Sequence, residues 1–156
     1  MKQELVSKWM SPNPVTLDLK ASLDQAQSLL KKYKIRRLPV IDKKKRLVGI
    51  VTLGDVREAS PSDATSLSVW EINYLVSQLK VSQIMTRSPM TVNVHDTIAK
   101  AAELMLTNHI SGLPVLENDG RLVGIITESD IFRLIVQTWY QADEPDVGIL
   151  ESHLLS

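Results

Sequence analysis

LPVIDKKKRLVGIVTLGD (residues 38–55) and LPVLENDGRLVGIITESD (residues 113–130) are one pattern written twice, 75 residues apart. In each, an apolar β-rich run (Leu38–Ile41; Leu113–Leu116) is followed by a polar turn and a second such run (Leu47–Thr52; Leu122–Thr127), which reads as a hairpin. The turn Glu117-Asn118-Asp119-Gly120 is a strong hairpin signal, whereas Lys43-Lys44-Lys45 is weaker turn chemistry. Pro39 and Pro114 bring no N–H to a ladder, so each is expected at a strand start or an edge. Extending the register outward aligns residues 6–56 with 81–131 without a gap and with 18 identities in 51 positions, where unrelated segments would match at about 3. The chain is an internal duplication. A unit of about 55 residues is too small to be comfortable alone, so the copies are expected to bury apolar faces on each other.

Working outward, the hydrophobic period changes in the same order in both copies. Leu23, Ala26, Leu29, Leu30 and Tyr33 recur at helical spacing, as do Ile98, Ala101, Leu104 and Met105. Ser22 and Thr97 stand where helix N-caps belong. Short extended pieces before these helices (Val15–Leu19; Met90–Val94) supply a third strand, and a second helix follows each hairpin. The expected fold is α+β: two strand-helix-strand-strand-helix repeats packed sheet to sheet as a pseudo-twofold pair. The expected boundaries are 1–58 for the first repeat, 59–80 for a linker with its own helix, 81–140 for the second repeat and 141–156 for a tail. Ser60-Pro61-Ser62-Asp63 ends the helix begun near Asp55, and Val69, Ile72, Leu75, Val76 and Leu79 form the linker helix stripe.

Charge and composition exclude several classes. Lys+Arg and Asp+Glu are 18 each, and a zero balance argues against a general nucleic-acid or membrane-surface binder. The balance hides a segregation: residues 1–58 hold 13 basic and 6 acidic side chains, and residues 81–156 hold 4 and 10. With no cysteine, there are no disulfides, thiolate metal sites or cysteine nucleophiles. There is no apolar run of about 18 residues to span a bilayer. The opening MKQELVSKWM lacks a signal-peptide core, so the expected compartment is the cytoplasm. His95, His109 and His153 lack the paired spacing of metal ligands, so no metal is expected. Gly-x-Ser-x-Gly, His-Glu-x-x-His and Gly-x-x-x-x-Gly-Lys-[Ser/Thr] are all missing, and nothing points to an enzyme.

The V-S-x-x-M-[ST] openings at Val6 and Val81, the L-P-V strands, and the endings Gly49-Ile-Val-Thr52-Leu-Gly-Asp55 and Gly124-Ile-Ile-Thr127-Glu-Ser-Asp130 together resemble a tandem pair of CBS (cystathionine-β-synthase) domains, a Bateman module. The resemblance covers about residues 5–137. It implies a regulatory module that binds an adenine nucleotide (AMP, ADP, ATP or a related adenosyl ligand) in the cleft between the copies, with no cofactor required. By that resemblance Asp55 and Asp130 hold ribose hydroxyls, and Thr52 and Thr127 contact ribose or phosphate. Leu38, Pro39, Leu113 and Pro114, with Thr16 and Thr91 from the extended pieces, flank base and phosphates.

Thr-x-x-Asp before an apolar helix is equally a capping arrangement, and the two roles are compatible, because a helix N-terminus also seats phosphate. Arg36 and Arg37 directly precede Leu38-Pro39 and would give the first-copy site forks for phosphate oxygens; alternatively they are solvated. The equivalent pair is Ser111-Gly112, preceded by His109-Ile110, which points to a nucleoside or monophosphate there. The last helix is apolar nearly all round from Ile131 to Tyr140, and Trp70 lies in the linker helix, so a homodimer through these helices is expected. The rival to a ligand sensor is a protein–protein adaptor with a vestigial cleft.

Overall fold

The computed structural model describes residues 3–62 and 65–143; the expected tail lies outside the described residues from 144 onward. The first half builds α1 (Val6–Trp9), β1 (Ser11–Pro12), β2 (Leu17–Asp18), α2 (Leu23–Tyr33), β3 (Arg37–Ile41), β4 (Leu47–Thr52) and α3 (Leu53–Ala59). The linker contributes α4 (Val69–Gln78). The second half repeats the order with α5 (Val81–Ile84), β5 (Thr86–Arg87), β6 (Val92–Asn93), α6 (Ile98–Asn108), β7 (Gly112–Leu116), β8 (Leu122–Thr127) and α7 (Glu128–Asp143). The expected strand-helix-strand-strand-helix unit is present in both copies, as β2-α2-β3-β4-α3 and β6-α6-β7-β8-α7. Helix α7 continues through Asp143, three residues beyond the boundary at 140.

Each copy is preceded by a short opening segment, α1–β1 or α5–β5, and these segments exchange. Strand β5 pairs antiparallel with β4 (Gly49 opposite Arg87), and β1 pairs with β8 (Pro12 opposite Gly124). The sheets therefore run β2-β3-β4-β5 and β1-β8-β7-β6. Val6 is fully buried in the core of the second copy, and Val81 and Met85 belong to the core of the first. A Cβ on Gly49 would sit 2.5 Å from Met85 Sδ and 3.0 Å from the Thr86 carbonyl oxygen. Gly124 is crossed in the same way by Met10 and the Ser11 carbonyl. The methionine of each opening motif thus lies on the glycine of the other copy's closing motif. Only glycine lets the two backbones approach so closely.

The sheet positions explain the prolines. Pro39 is the third residue of β3 rather than its first, but β2 reaches only Val40 and Ile41, so β3 is an edge strand at Pro39. Pro114 repeats this in β7. Both prolines are fully buried, on the strand face opposite the Leu38, Val40, Leu113 and Val115 side chains. The two hairpin turns share one geometry: Lys45 holds the left-handed position (φ 62°) that Gly120 holds in the second copy (φ 84°). The tips are joined where the Leu122 N–H donates to the Lys45 carbonyl at 3.2 Å. Among the described residues no helix is long and apolar enough to cross a membrane.

Candidate functional site

The starts of β3 and β7 approach each other across the pseudo-twofold axis. Arg37 and Gly112 are equivalent by the 75-residue shift, and so are Arg36 and Ser111. The Arg37 side chain crosses the axis, Nη2 donating to Ser111 Oγ, and lies over Gly112, where a Cβ would come within 2.5 Å of Nη1. A side chain at position 112 would oblige the flexible end of Arg37 to move off the axis. Burial lowers the pKa of the Arg37 guanidinium, the neighbouring Arg36 charge lowers it further, and Glu128 partly offsets both.

A cleft opens on either side of this contact. The first, of about 580 Å³, is walled by Ser11, Pro14 and Val15 and by Lys34–Arg37 of the first copy, facing Ser111, Ile125 and Thr127–Ser129 of the second. The second, of about 330 Å³, is walled by Thr86, Pro89 and Met90 and by His109–Gly112 of the second copy, facing Arg37, Ile50 and Thr52 of the first, with Pro114 beside them. Shifting by 75 residues carries Ser11 onto Thr86, Pro14 onto Pro89, Ile35 onto Ile110 and Thr127 onto Thr52, so the clefts are pseudo-symmetric partners. Lys34 (φ 52°) and His109 (φ 53°) end α2 and α6 in the left-handed conformation and turn the chain into the cleft walls.

Each cleft is therefore composite, joining the strand approach of one copy to the closing threonine of the other. Arg36 stands with Thr127 in the larger cleft, whereas Arg37 lies at the junction and lines both, with Thr127 on one side and the Thr52 of its own copy on the other.

The closing aspartates cap their helices in both copies. Asp55 Oδ2 accepts from the Thr52 N–H at 2.8 Å, and Thr52 Oγ1 accepts from the Asp55 N–H at 3.1 Å. Asp130 Oδ2 accepts from the Thr127 N–H at 2.9 Å and from its hydroxyl at 3.2 Å. Asp130 is 2% exposed, and its Oδ1 is bound to Arg133 Nη1 at 3.1 Å. The position equivalent to Arg133 is Glu58, so Asp55 has no such partner and is only half-buried. Neither carboxylate forms part of a cleft wall; the threonines three residues earlier do.

Other sequence candidates fall outside the clefts. Leu38 and Leu113 are fully buried core side chains, and Pro39 is fully buried and lines neither cleft. Thr16 lines a separate cavity of about 420 Å³ against α2, with Asp24 and Ser28. Thr91 lines neither cleft. His109, Ile110, Ser111, Gly112 and Pro114 share the smaller cleft with Thr52. Sequence reasoning missed Lys34, Ile35, Pro14, Glu128 and Ser129 in the larger cleft and Ile50, Pro89 and Met90 in the smaller. The identities Pro14/Pro89, Ile35/Ile110 and Ile50/Ile125 across the duplication were the available signal. No cluster of three or more metal-ligating His, Asp or Glu side chains occurs among the described residues.

Residues 6–62 and 81–137 match the CBS domain family. A CBS domain-containing protein of Dictyostelium discoideum is 36% identical over 133 residues, spanning 85% of this chain and 92% of that protein. CBSX2 of Arabidopsis thaliana, solved in complex with AMP, is similar at a TM-score of 0.73 and 32% identity, covering 86% of this chain and 98% of that one. The CBS domain pair of protein MJ0100, solved with 5′-methylthioadenosine and S-adenosyl-L-methionine, gives a TM-score of 0.71 at 31% identity, covering 87% and 98%. An L-aspartate semialdehyde sulfurtransferase of Methanocaldococcus jannaschii is 32% identical over 130 residues, which span only 23% of that enzyme's length.

Proposed function

This chain belongs to the CBS domain family, and on that premise we propose that it is a regulatory sensor that binds adenine nucleotides or a related adenosyl ligand in the clefts between its repeats. The observation that carries this reading is the pair of composite clefts meeting at the Arg37–Ser111 contact. Each has walls from both copies, so a ligand in either would tie the copies together and shift their relative arrangement by its differential affinity.

The clefts differ in chemistry, and so should their ligands. Lys34, Arg36 and Arg37 make the larger one cationic, and guanidinium forks suit phosphate oxygens. The smaller lacks Lys34 and Arg36 and sets Ile50, Met90, Ile110 and Pro114, apolar side chains suited to an adenine ring, beside Arg37 and His109. Behind Thr52 rather than in the cleft wall itself, the half-buried Asp55 has one oxygen with no hydrogen-bond partner among the described residues, and it is the better candidate for ribose hydroxyls. Phosphorylated ligands then belong in the larger cleft, and nucleosides or sulfonium adenosyl compounds in the smaller. Relatives solved with AMP and with 5′-methylthioadenosine and S-adenosyl-L-methionine span both kinds.

The acting form in this reading is a cytoplasmic homodimer, joined through the exposed aromatic faces of α4 and α7, and the role is sensing rather than catalysis. A thermal-shift panel of adenosine, AMP, ADP, ATP, S-adenosylmethionine and NAD tests it. A ligand at about 100 times its dissociation constant should stabilise by about 2.7 kcal/mol. No shift with any of them would leave the adaptor reading.

A further inference from the structure

A fourth and larger cavity, of about 930 Å³, lies on the first copy between the end of α2, the approach to β3 and α3. Its apolar floor is Leu30, Ile35, Leu53 and Val56, and its rim carries Lys31, Lys34, Arg36 and Arg57 against one acid, Glu58. Lys34, Ile35 and Arg36 also wall the larger inter-repeat cleft, so the two cavities adjoin along this short run. With Arg37, five cations form one band from the cleft to the outer surface. Among the described residues none of the five forms an ion pair. Such a concentration of like charge is self-repelling unless an anion occupies it.

The duplication supplies an internal control. The positions equivalent to Lys31, Lys34, Arg36 and Arg57 are Leu106, His109, Ser111 and Phe132. Leu106 and Phe132 are exposed apolar side chains, so the fold does not require charge at these places. The band belongs to one copy only, beside the cleft that holds more cations, Lys34, Arg36 and Arg37.

We propose that the ligand of the cationic cleft is a nucleoside polyphosphate whose distal phosphates leave the cleft over Lys34 and Arg36 and lie in the outer groove against Lys31 and Arg57. This rests on the adenine-nucleotide reading and adds a chain-length requirement to it. Each further phosphate brings more negative charge to a cation outside the cleft. Affinity should therefore rise from AMP through ADP to ATP and adenosine 5′-tetraphosphate, and the rise should weaken with salt.

Calorimetry on the full chain with those four nucleotides, in wild type and in Lys31→Gln/Arg57→Gln, tests the groove. A Lys43→Gln/Lys44→Gln variant at the hairpin tip carries the same change in net charge away from it. The groove variant should keep the wild-type affinity for AMP and lose at least about tenfold for ATP and adenosine tetraphosphate. The tip variant should lose less than about threefold for any of them. Both substituted pairs are exposed, and an unchanged melting temperature of the free protein shows that each variant is folded. If AMP binds but longer chains bind no tighter, or if the groove variant keeps the full gain, the groove is not a phosphate seat and the cleft reading stands. If no adenine nucleotide binds wild type at all, both fall together.

Discussion

Asp55 and Asp130 occupy equivalent positions and accept the same N–H from the threonine three residues before. What separates them is one neighbour: Arg133 binds the second oxygen of Asp130, and its equivalent is Glu58. The buried Asp130 therefore serves the fold, receiving two bonds from Thr127 and one charge. Removing it by Asp130→Ala leaves the Thr127 N–H and hydroxyl without an acceptor, which costs about 1–3 kcal/mol of stability. Asp55→Ala loses mainly a cap, about 1 kcal/mol. If its free oxygen holds ribose, adenosine binding in the smaller cleft falls at least about tenfold. Urea melts and calorimetry on the two variants check this division. A larger stability loss in Asp55→Ala, or equal adenosine affinity in all three proteins, would reverse it. The motif itself was legible in both copies. Which carboxylate stays available was not, because that depends on a residue outside the motif.

At the scale of elements, the opening segments decide how the halves are joined. Met10 lies on Gly124, and Met85 on Gly49, so each copy's first segment is packed as part of the other copy's sheet. Gly124→Ala pushes a Cβ against Met10 Sδ and the Ser11 carbonyl, and an overpacked core of this kind costs about 1–3 kcal/mol. Met10→Ala alone leaves a cavity. The double variant relieves the clash while keeping the cavity, so it should be less destabilised than the sum of the singles by about 1 kcal/mol or more. A double-mutant cycle by urea unfolding measures that coupling, and strict additivity would mean that the contact does not form. The hairpins and the helices α2 and α6 were readable because each has a periodic pattern and a cap of its own. Strands β1 and β5 were not, since two residues carry no period and their pairing is with chain more than 30 residues away.

For the whole molecule, the apolar surface on α4 and α7 stands out. Trp70 is 85% exposed, Trp139 66% and Tyr140 73%, and Val69, Tyr74 and Phe132 lie on the same two helices. Large apolar side chains exposed in this number on two helices are the basis of the proposed self-association. Trp70→Glu/Trp139→Glu should convert a dimer to a monomer in sedimentation velocity at tens of micromolar, with the far-ultraviolet dichroism unchanged. A wild-type monomer at that concentration, or a variant that stays dimeric, would remove these helices from the interface.

Sequence by itself determined the duplication, the order of elements within each copy, the capping threonines and the concentration of cations in the first half. These are local properties, written in spacing and residue type, and a 75-residue shift makes them visible twice. Tertiary structure alone decided which copy each opening segment completes, that Arg36 shares a cleft with Thr127 and Gly112 one with Thr52, and that Arg37 and Ser111 line both. It also brought Lys31 and Arg57, 26 positions apart, to the rim of one groove. The physical reason is that pairing between distant segments is chosen by burial and close backbone approach, here Gly49 against Met85 and Thr86 and Gly124 against Met10 and Ser11, and no local period records that choice.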